Sequence, residues 1–247
     1  MILGLNPLAM GIRPLPFKPW QSARCLGLFD ASYSGNTITS SRTTVAVSLA
    51  NPSVQLTVPS TYAGPTMDTS IGGRSTWLSD GSTVILRSTS FSFPAISSSN
   101  HVFAYMIMKG IASPSGSNVV WAGGATFNPS LVLGYSGGGL ISFNSAGITL
   151  TSGYTQGTPK RMVQSFTGTT GTDALQWGSS IVTGSTSTSA AGSGLTLFTR
   201  GNNTEFSTCG VAIYGLFTGD PSTGGLLTLL DSYYASAYGA SWAALVS

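Results

Sequence analysis

Across residues 24–217 the apolar residues arrive in runs no longer than a single strand, and nearly every run is closed by Ser, Gly, Asn or Pro. Such punctuation leaves no room for an amphipathic helix, because a helical stripe needs apolar residues at three- and four-residue steps over at least three turns. The spacing predicts strands over 24–29, 43–49, 54–58, 83–93, 101–109, 118–122, 130–135, 140–143, 161–167, 174–182, 195–199 and 206–217. Many short strands with Gly-rich turns and no intervening helices predict an all-β fold: a two-sheet antiparallel jelly-roll sandwich. The low-complexity tract 183–194, TGSTSTSAAGSG, reads as a mobile surface loop between strands.

One segment departs from this pattern. Asp220-Pro221 offers a capping side chain followed by proline at a first helical position, and Leu226, Leu229, Leu230, Tyr233, Tyr234 and Ala237 then recur at helical steps up to Gly239. A single C-terminal helix laid against the sheet is expected, its stripe serving as core.

Pro7, Pro14, Pro16 and Pro19 interrupt the first residues and forbid a helix or a central strand there. Residues 1–22 are expected to form an extended docking arm, with Pro14, Pro16, Phe17, Pro19 and Trp20 as its contact residues, and residues 23–247 a single domain. The arm either docks on another protein or a neighbouring copy, or wraps its own domain.

Only 7% of the 247 residues are charged, 10 Lys+Arg against 7 Asp+Glu, so the surface is built from hydroxyl groups rather than ions. Scattered cations without a basic stripe argue against a nucleic-acid partner. Weak charge repulsion at a mean hydropathy of +0.25 favours an oligomer or larger assembly. The strongest apolar run, 102–108, has strand length, far short of the roughly 20 residues that cross a bilayer. The first residues lack a charged n-region, which argues against a cleaved secretion signal. Cys25 and Cys209 have no metal-ligand spacing; they are either reduced thiols or, if the first and last strands are neighbours, close enough to bridge.

Several segments in order resemble a known group of domains. LFDAS at 28–32, GRSTWLSDGS at 73–82, the strand at 102–108, the pair KRMVQSFTG at 160–168 and ALQWGS at 174–179, and the strand and helix of 206–239 are similar to the concanavalin A-like lectin/glucanase superfamily. The likeness is to its laminin G-like form found in tailed-phage virion proteins. The resemblance implies a virion surface location, contacts with other virion proteins or neighbouring copies through the arm, and a lectin-like face for a host-surface glycan or receptor. A purely architectural decoration protein is the alternative it leaves open.

Glucanases of that superfamily carry an E-x-D-x-x-E strand, because hydrolysis needs two carboxylates roughly 5 Å apart in a retaining enzyme. Here Glu205 is the only glutamate, and Asp30, Asp68, Asp80, Asp173, Asp220 and Asp231 include no pair two or four residues apart. A non-enzymatic chain with no catalytic residues is therefore expected, a glycan-active hydrolase being the alternative if distant aspartates meet in the fold. The G-x-S-x-G match at 134–138 lacks the following helix of a nucleophile elbow and reads as a hairpin turn. His101, the only histidine, opens a strand as a surface residue, and no metal or other cofactor is expected, Asp80 and Asp173 being able to give calcium at most one ligand each. Glycan binding needs only an aromatic platform and polar side chains; Trp121, Phe127, Asn128 and Tyr154 are the expected site residues, with core packing as the competing role for Trp77, Trp121 and Trp177.

Overall fold

The computed structural model describes residues 17–111, 118–124, 129–133, 139–144, 146–169, 171–200 and 205–247. Two layers of antiparallel strands are packed face to face. The front layer runs β2 (Thr37–Thr39), β3 (Arg42–Val47), β4 (Gln55–Thr57), β7 (Leu86–Phe93), β16 (Gly192–Leu197), β9 (Asn118–Gly123), β10 (Ser130–Leu133), β11 (Leu140–Asn144) and β12 (Ala146–Leu150). In the back layer, β17 (Cys209–Thr218) pairs with β1 (Cys25–Asp30), β6 (Arg74–Leu78) and β8 (Val102–Gly110). β8 continues into β13 (Lys160–Phe166), β14 (Asp173–Trp177) and β15 (Ser180–Gly184), while β5 (Thr66–Ile71) flanks β6. One ladder pair, Arg42↔Thr66, links the layers.

β8 shows how the residues dictate this arrangement. Val102, Ala104, Met106 and Met108 enter the core between the layers, whereas Phe103, Tyr105 and Ile107 enter a second core on the outer face of the back layer. A strand buried on both faces has no reason to alternate in polarity, and its sequence is accordingly a continuous apolar run. The second core is closed by α1 (Leu226–Tyr238) and α2 (Trp242–Val246), through Leu226, Leu230, Tyr234, Tyr238, Trp242 and Leu245. The Tyr105 and Tyr234 rings stack at 5.6 Å, and Asp231 joins the helix to the sheet by an ion pair with the buried Arg161 and a hydrogen bond from Tyr105 Oη at 3.1 Å.

Several local expectations are revised. The helix begins at Leu226, not Pro221, because Gly224 and Gly225 sit at φ 67° and 66°, outside helical space, while the Asp220 carboxylate accepts from the Ser222 N–H in a separate turn. Its buried stripe has a strict four-residue step, leaving Leu229 exposed, and Gly239 at φ 57° ends it. The span 174–182 is two strands: Trp177 pairs with Ser180 around Gly178-Ser179, and Gly178 has φ 57°. The tract 183–194 is tied into the fold, since Thr186 N–H and Oγ1 donate to the buried Asp173 carboxylate, Ser187 N–H to Asn144 O, and Ser189 bridges Ile96. The spacing does not predict β2 and β5, which are largely polar with few buried side chains, nor β12, whose buried Ile148 and Leu150 are too few to form an apolar run.

β1 and β17 are neighbours, as a bridge would need, but Cys25 lies opposite Phe217 while Cys209 starts the far end of the ladder. Both thiols are free. Burial pushes each up to about 12.

Candidate functional site

The outer face of the front layer carries a cavity of about 350 Å³, built by strand alternation. Ser130 and Val132 of β10, Ile141 and Phe143 of β11, and Gly147 and Thr149 of β12 line it. Their register is continuous across the ladder: Ser130↔Phe143↔Gly147 and Val132↔Ile141↔Thr149. The intervening Leu131, Leu133, Leu140 and Leu150 turn inward to the main core. One set of strands therefore supplies both a wall of the core and the floor of a site.

Arg200 and Glu205 join them in the described lining. An antiparallel bridge between Thr199 and Phe206 sets the two side by side, and Glu205 is held further by its carbonyl accepting from Val119 N–H at 3.4 Å. Phe198, just before the bridge, is fully buried at φ 75°, a left-handed backbone that L side chains rarely adopt, and its N–H donates to Val120 O at 2.6 Å. Arg200 Nη1 stands 3.4 Å from both carboxylate oxygens of Glu205, and its guanidinium lies over the Phe143 ring at 5.9 Å. Gly147 has no side chain where a Cβ would come within 3.2 Å of Ile141 Cγ2, so the floor stays open there.

Of the expected site residues, the two that the structure describes, Trp121 and Tyr154, do not line the cavity. A bulge in the β9–β10 ladder, between Leu131 and Val132, sends both Val120 and Trp121 into the core. Trp121 is fully buried and donates from Nε1 to Gln164 Oε1 at 3.0 Å, which leaves no surface for a ligand. Trp77 and Trp177 are buried as well. Tyr154 is half-buried against Trp177 at 5.3 Å, and burial pushes its hydroxyl up to about 12; it is not part of the cavity. Phe127, Asn128 and the Gly134–Gly138 motif lie outside the described residues, as do Pro14 and Pro16.

At the other end of the expected set, Pro19 is buried, Trp20 meets Tyr233 edge-on at 5.6 Å, and Phe17 lies beside Leu229 and Tyr233 on α1. From Phe17 onward the arm therefore packs on its own domain.

The remaining acids have local partners. Asp30 pairs with Arg74 at 3.1 Å, Asp68 and Asp80 accept from Ser70 and Ser82, Asp173 from Thr167 and Thr186, and Asp231 pairs with Arg161. Glu205 is the acid on the cavity wall. Among the described residues no three potential metal ligands cluster.

No protein-family model and no curated protein matches the chain. Solved structures do. A GH54 α-L-arabinofuranosidase soaked with a cyclic sulfate inhibitor has a TM-score of 0.56 at 11% identity, covering 90% of this chain and 63% of its own. A tryptophan-to-alanine mutant of HCR/D has 0.53 at 7%, covering 85% and 52%. The Trypanosoma rangeli sialidase in complex with sialic acid has 0.47 at 10%, covering 79% of this chain and 31% of the sialidase. The chain thus spans about a third of the sialidase and under two thirds of the arabinofuranosidase. At these identities the likeness concerns the fold, a β-sandwich that a glycosidase also carries.

The expectation of a non-enzymatic chain is corrected by that finding. It rested on the lack of two carboxylates along one strand, but a sandwich assembles sites from separate strands and loops, so strand spacing is no test of catalysis.

Proposed function

We propose that this chain is a glycan-recognising β-sandwich protein whose ligand lies in the cavity over β10, β11 and β12. The observation that carries the reading is the convergence there of an aromatic ring, a guanidinium, a carboxylate and two hydroxyl side chains on an otherwise apolar floor: Phe143, Arg200, Glu205, Ser130 and Thr149. Sugars present C–H faces that pack on aromatic and aliphatic surface, and hydroxyl groups that need both donors and acceptors. At about 350 Å³ the cavity lies at the small end of ligand sites, which fits a mono- or disaccharide unit of a larger glycan. The sandwich shared with an arabinofuranosidase supports a glycan-directed role, and Glu205 is a carboxylate in the described lining that can accept from a sugar hydroxyl.

The resemblance to tailed-phage virion domains supports a position on a particle surface, where the segment before Phe17 would reach other virion proteins or a neighbouring copy. Deleting residues 1–16 tests that placement: particles that incorporate the truncated chain as well as the full one would remove it.

Binding of the full chain to an immobilised glycan panel, followed by a sugar-release assay on whatever binds, tests the functional reading. Binding that Phe143→Ala and Glu205→Gln both weaken supports the cavity. A ligand whose affinity is untouched by either substitution places recognition elsewhere.

A further inference from the structure

We infer that the groove between Phe17 and the flank of α1 is a docking site for the segment Arg13-Pro14-Leu15-Pro16 of the same chain, with Leu15 as the seated side chain. The inference is independent of the cavity over β10, β11 and β12.

The groove, of about 400 Å³, is lined by Phe17 together with Leu229, Ser232, Tyr233, Ser236 and Ala237. Steps of three and four residues place those five on one stripe of α1, beside the stripe of Leu226, Leu230, Tyr234 and Tyr238 that closes the second core. Leu229 is 43% exposed on this flank, and no charged side chain lines the groove among the described residues.

Covalent connection favours the chain's own segment as occupant. Phe17 is a wall of the groove, so the residues just before it leave from the groove itself. Such a tether gives an effective concentration in the millimolar range, roughly a thousandfold above that of separate chains in a micromolar solution. Length agrees: Leu229 to Ala237 spans about 12 Å along the helix axis, and four residues of extended chain at about 3.1 Å each cover the same distance.

The chemistry agrees as well. Proline fixes φ at positions 14 and 16, and Arg13 and Leu15, each preceding a proline, are biased toward extended backbone, so the segment has little freedom to lose on docking. Pro14 and Pro16 bring no N–H that would need a partner, while the carbonyls of the segment can accept from the hydroxyls of Ser232, Tyr233 and Ser236. Proline-rich segments are commonly held in aromatic-lined grooves. Here Phe17 and Tyr233 supply the aromatic walls, with Trp20 edge-on to Tyr233 at 5.6 Å. Leu15 is the apolar side chain available to Leu229 and Ala237, and residues 1–12 remain to reach other proteins.

The test is made on the full chain carrying Leu15→Cys and Ser236→Cys, oxidised with glutathione disulfide, beside a control pair of Leu15→Cys with Ile38→Cys, an exposed position on β2. A bridge needs Cα atoms within about 7 Å, so the groove pair should bridge within one chain and the control pair should not. Mass spectrometry maps the bridge and separates it from any made with Cys25. In a second variant, Leu15→Asp, uncovering the groove should raise the fluorescence of an added apolar dye about twofold, with circular dichroism unchanged. Bridging no faster than in the control overturns the inference. Bridges formed only between chains overturn it too, by moving the segment to a neighbouring copy, and so does a dye signal that Leu15→Asp leaves unchanged. None of these outcomes bears on glycan binding, which the panel above decides separately.

Discussion

The indole of Trp121 donates to the side-chain oxygen of Gln164 at 3.0 Å, a bond that crosses the main core from the front layer to the back. Gln164 is fully buried and uses its other end equally: Nε2 donates to Ser130 O and to Ser142 Oγ, each at 2.8 Å. Ser130 is also a cavity residue, so one buried amide ties the floor of the candidate site to the centre of β13.

Replacing Gln164 by Ala would leave the Trp121 N–H, the Ser142 hydroxyl and the Ser130 carbonyl without this partner in a dry core. With an orphaned buried group costing about 1–3 kcal/mol, the variant should lose about 3 kcal/mol or more of unfolding free energy. Urea unfolding followed by tryptophan fluorescence measures it, and a loss under about 1 kcal/mol would show that water or relaxation satisfies these groups.

Asp231→Ala removes the counter-charge of Arg161, which is only 6% exposed. An uncompensated buried guanidinium costs about 3–5 kcal/mol, and the Tyr105 hydroxyl loses its acceptor in the same change. Thermal unfolding should report a large drop. Double replacement with Arg161→Met should recover part of it, because it is the unpaired charge, more than the lost attraction, that destabilises.

Alkaline pH should unfold this protein more steeply than its few charges suggest. The buried Cys209 thiol has an ordinary value of 9.0 and is pushed up to about 12, and Tyr154 moves from 10.0 to about 12. Burial also holds the hydroxyls of Tyr105, Tyr214 and Tyr234 well above the ordinary tyrosine range. In each case the folded value exceeds the unfolded one, so stability is intact below about pH 9 and falls as pH rises toward 12. Cys209 alone contributes a loss of about 1.4 kcal/mol per pH unit across that window. Urea midpoints at pH 8, 9.5 and 11 check the slope; a flat profile would contradict the burial of these groups. Native protein should also resist thiol reagents at pH 8, with two thiols appearing on denaturation.

Phe143→Ala should reduce affinity for a bound glycan by about tenfold, roughly 1.4 kcal/mol, through loss of ring contact. Gly147→Val should reduce it further, since its methyl groups would occupy the floor beside Ile141 and Phe143. Both positions are on the outer face, away from the main core, so circular dichroism and the urea midpoint should stay close to those of the parent. A fall in binding matched by a fall in midpoint would instead assign these residues a structural role.

Much of the architecture was legible because a strand with one dry face must alternate and a turn must use Gly, Ser, Asn or Pro. β7 follows from its alternation, and β1, β9, β13 and β17 from short apolar runs closed by turn residues, as does the helix stop at Gly239. β2, three exposed residues held by backbone bonds to β3, leaves no trace in side-chain polarity, and β12 offers only the buried pair Ile148 and Leu150. Trp121 illustrates the limit for function: an aromatic beside a turn looks like a platform until a bulge in the β9–β10 ladder rotates it inward.

The amino-acid order by itself determined the all-β class, the lone long helix packed on the sheet and the uncharged hydroxyl-rich exterior, since each depends on composition or on residues a few positions apart. Tertiary structure alone decided the site. Phe143 faces the cavity because of its register with Ser130 and Gly147, and Arg200 meets Glu205 because Thr199 bridges Phe206, pairings whose energy comes from the assembled sheet and not from any short stretch of chain.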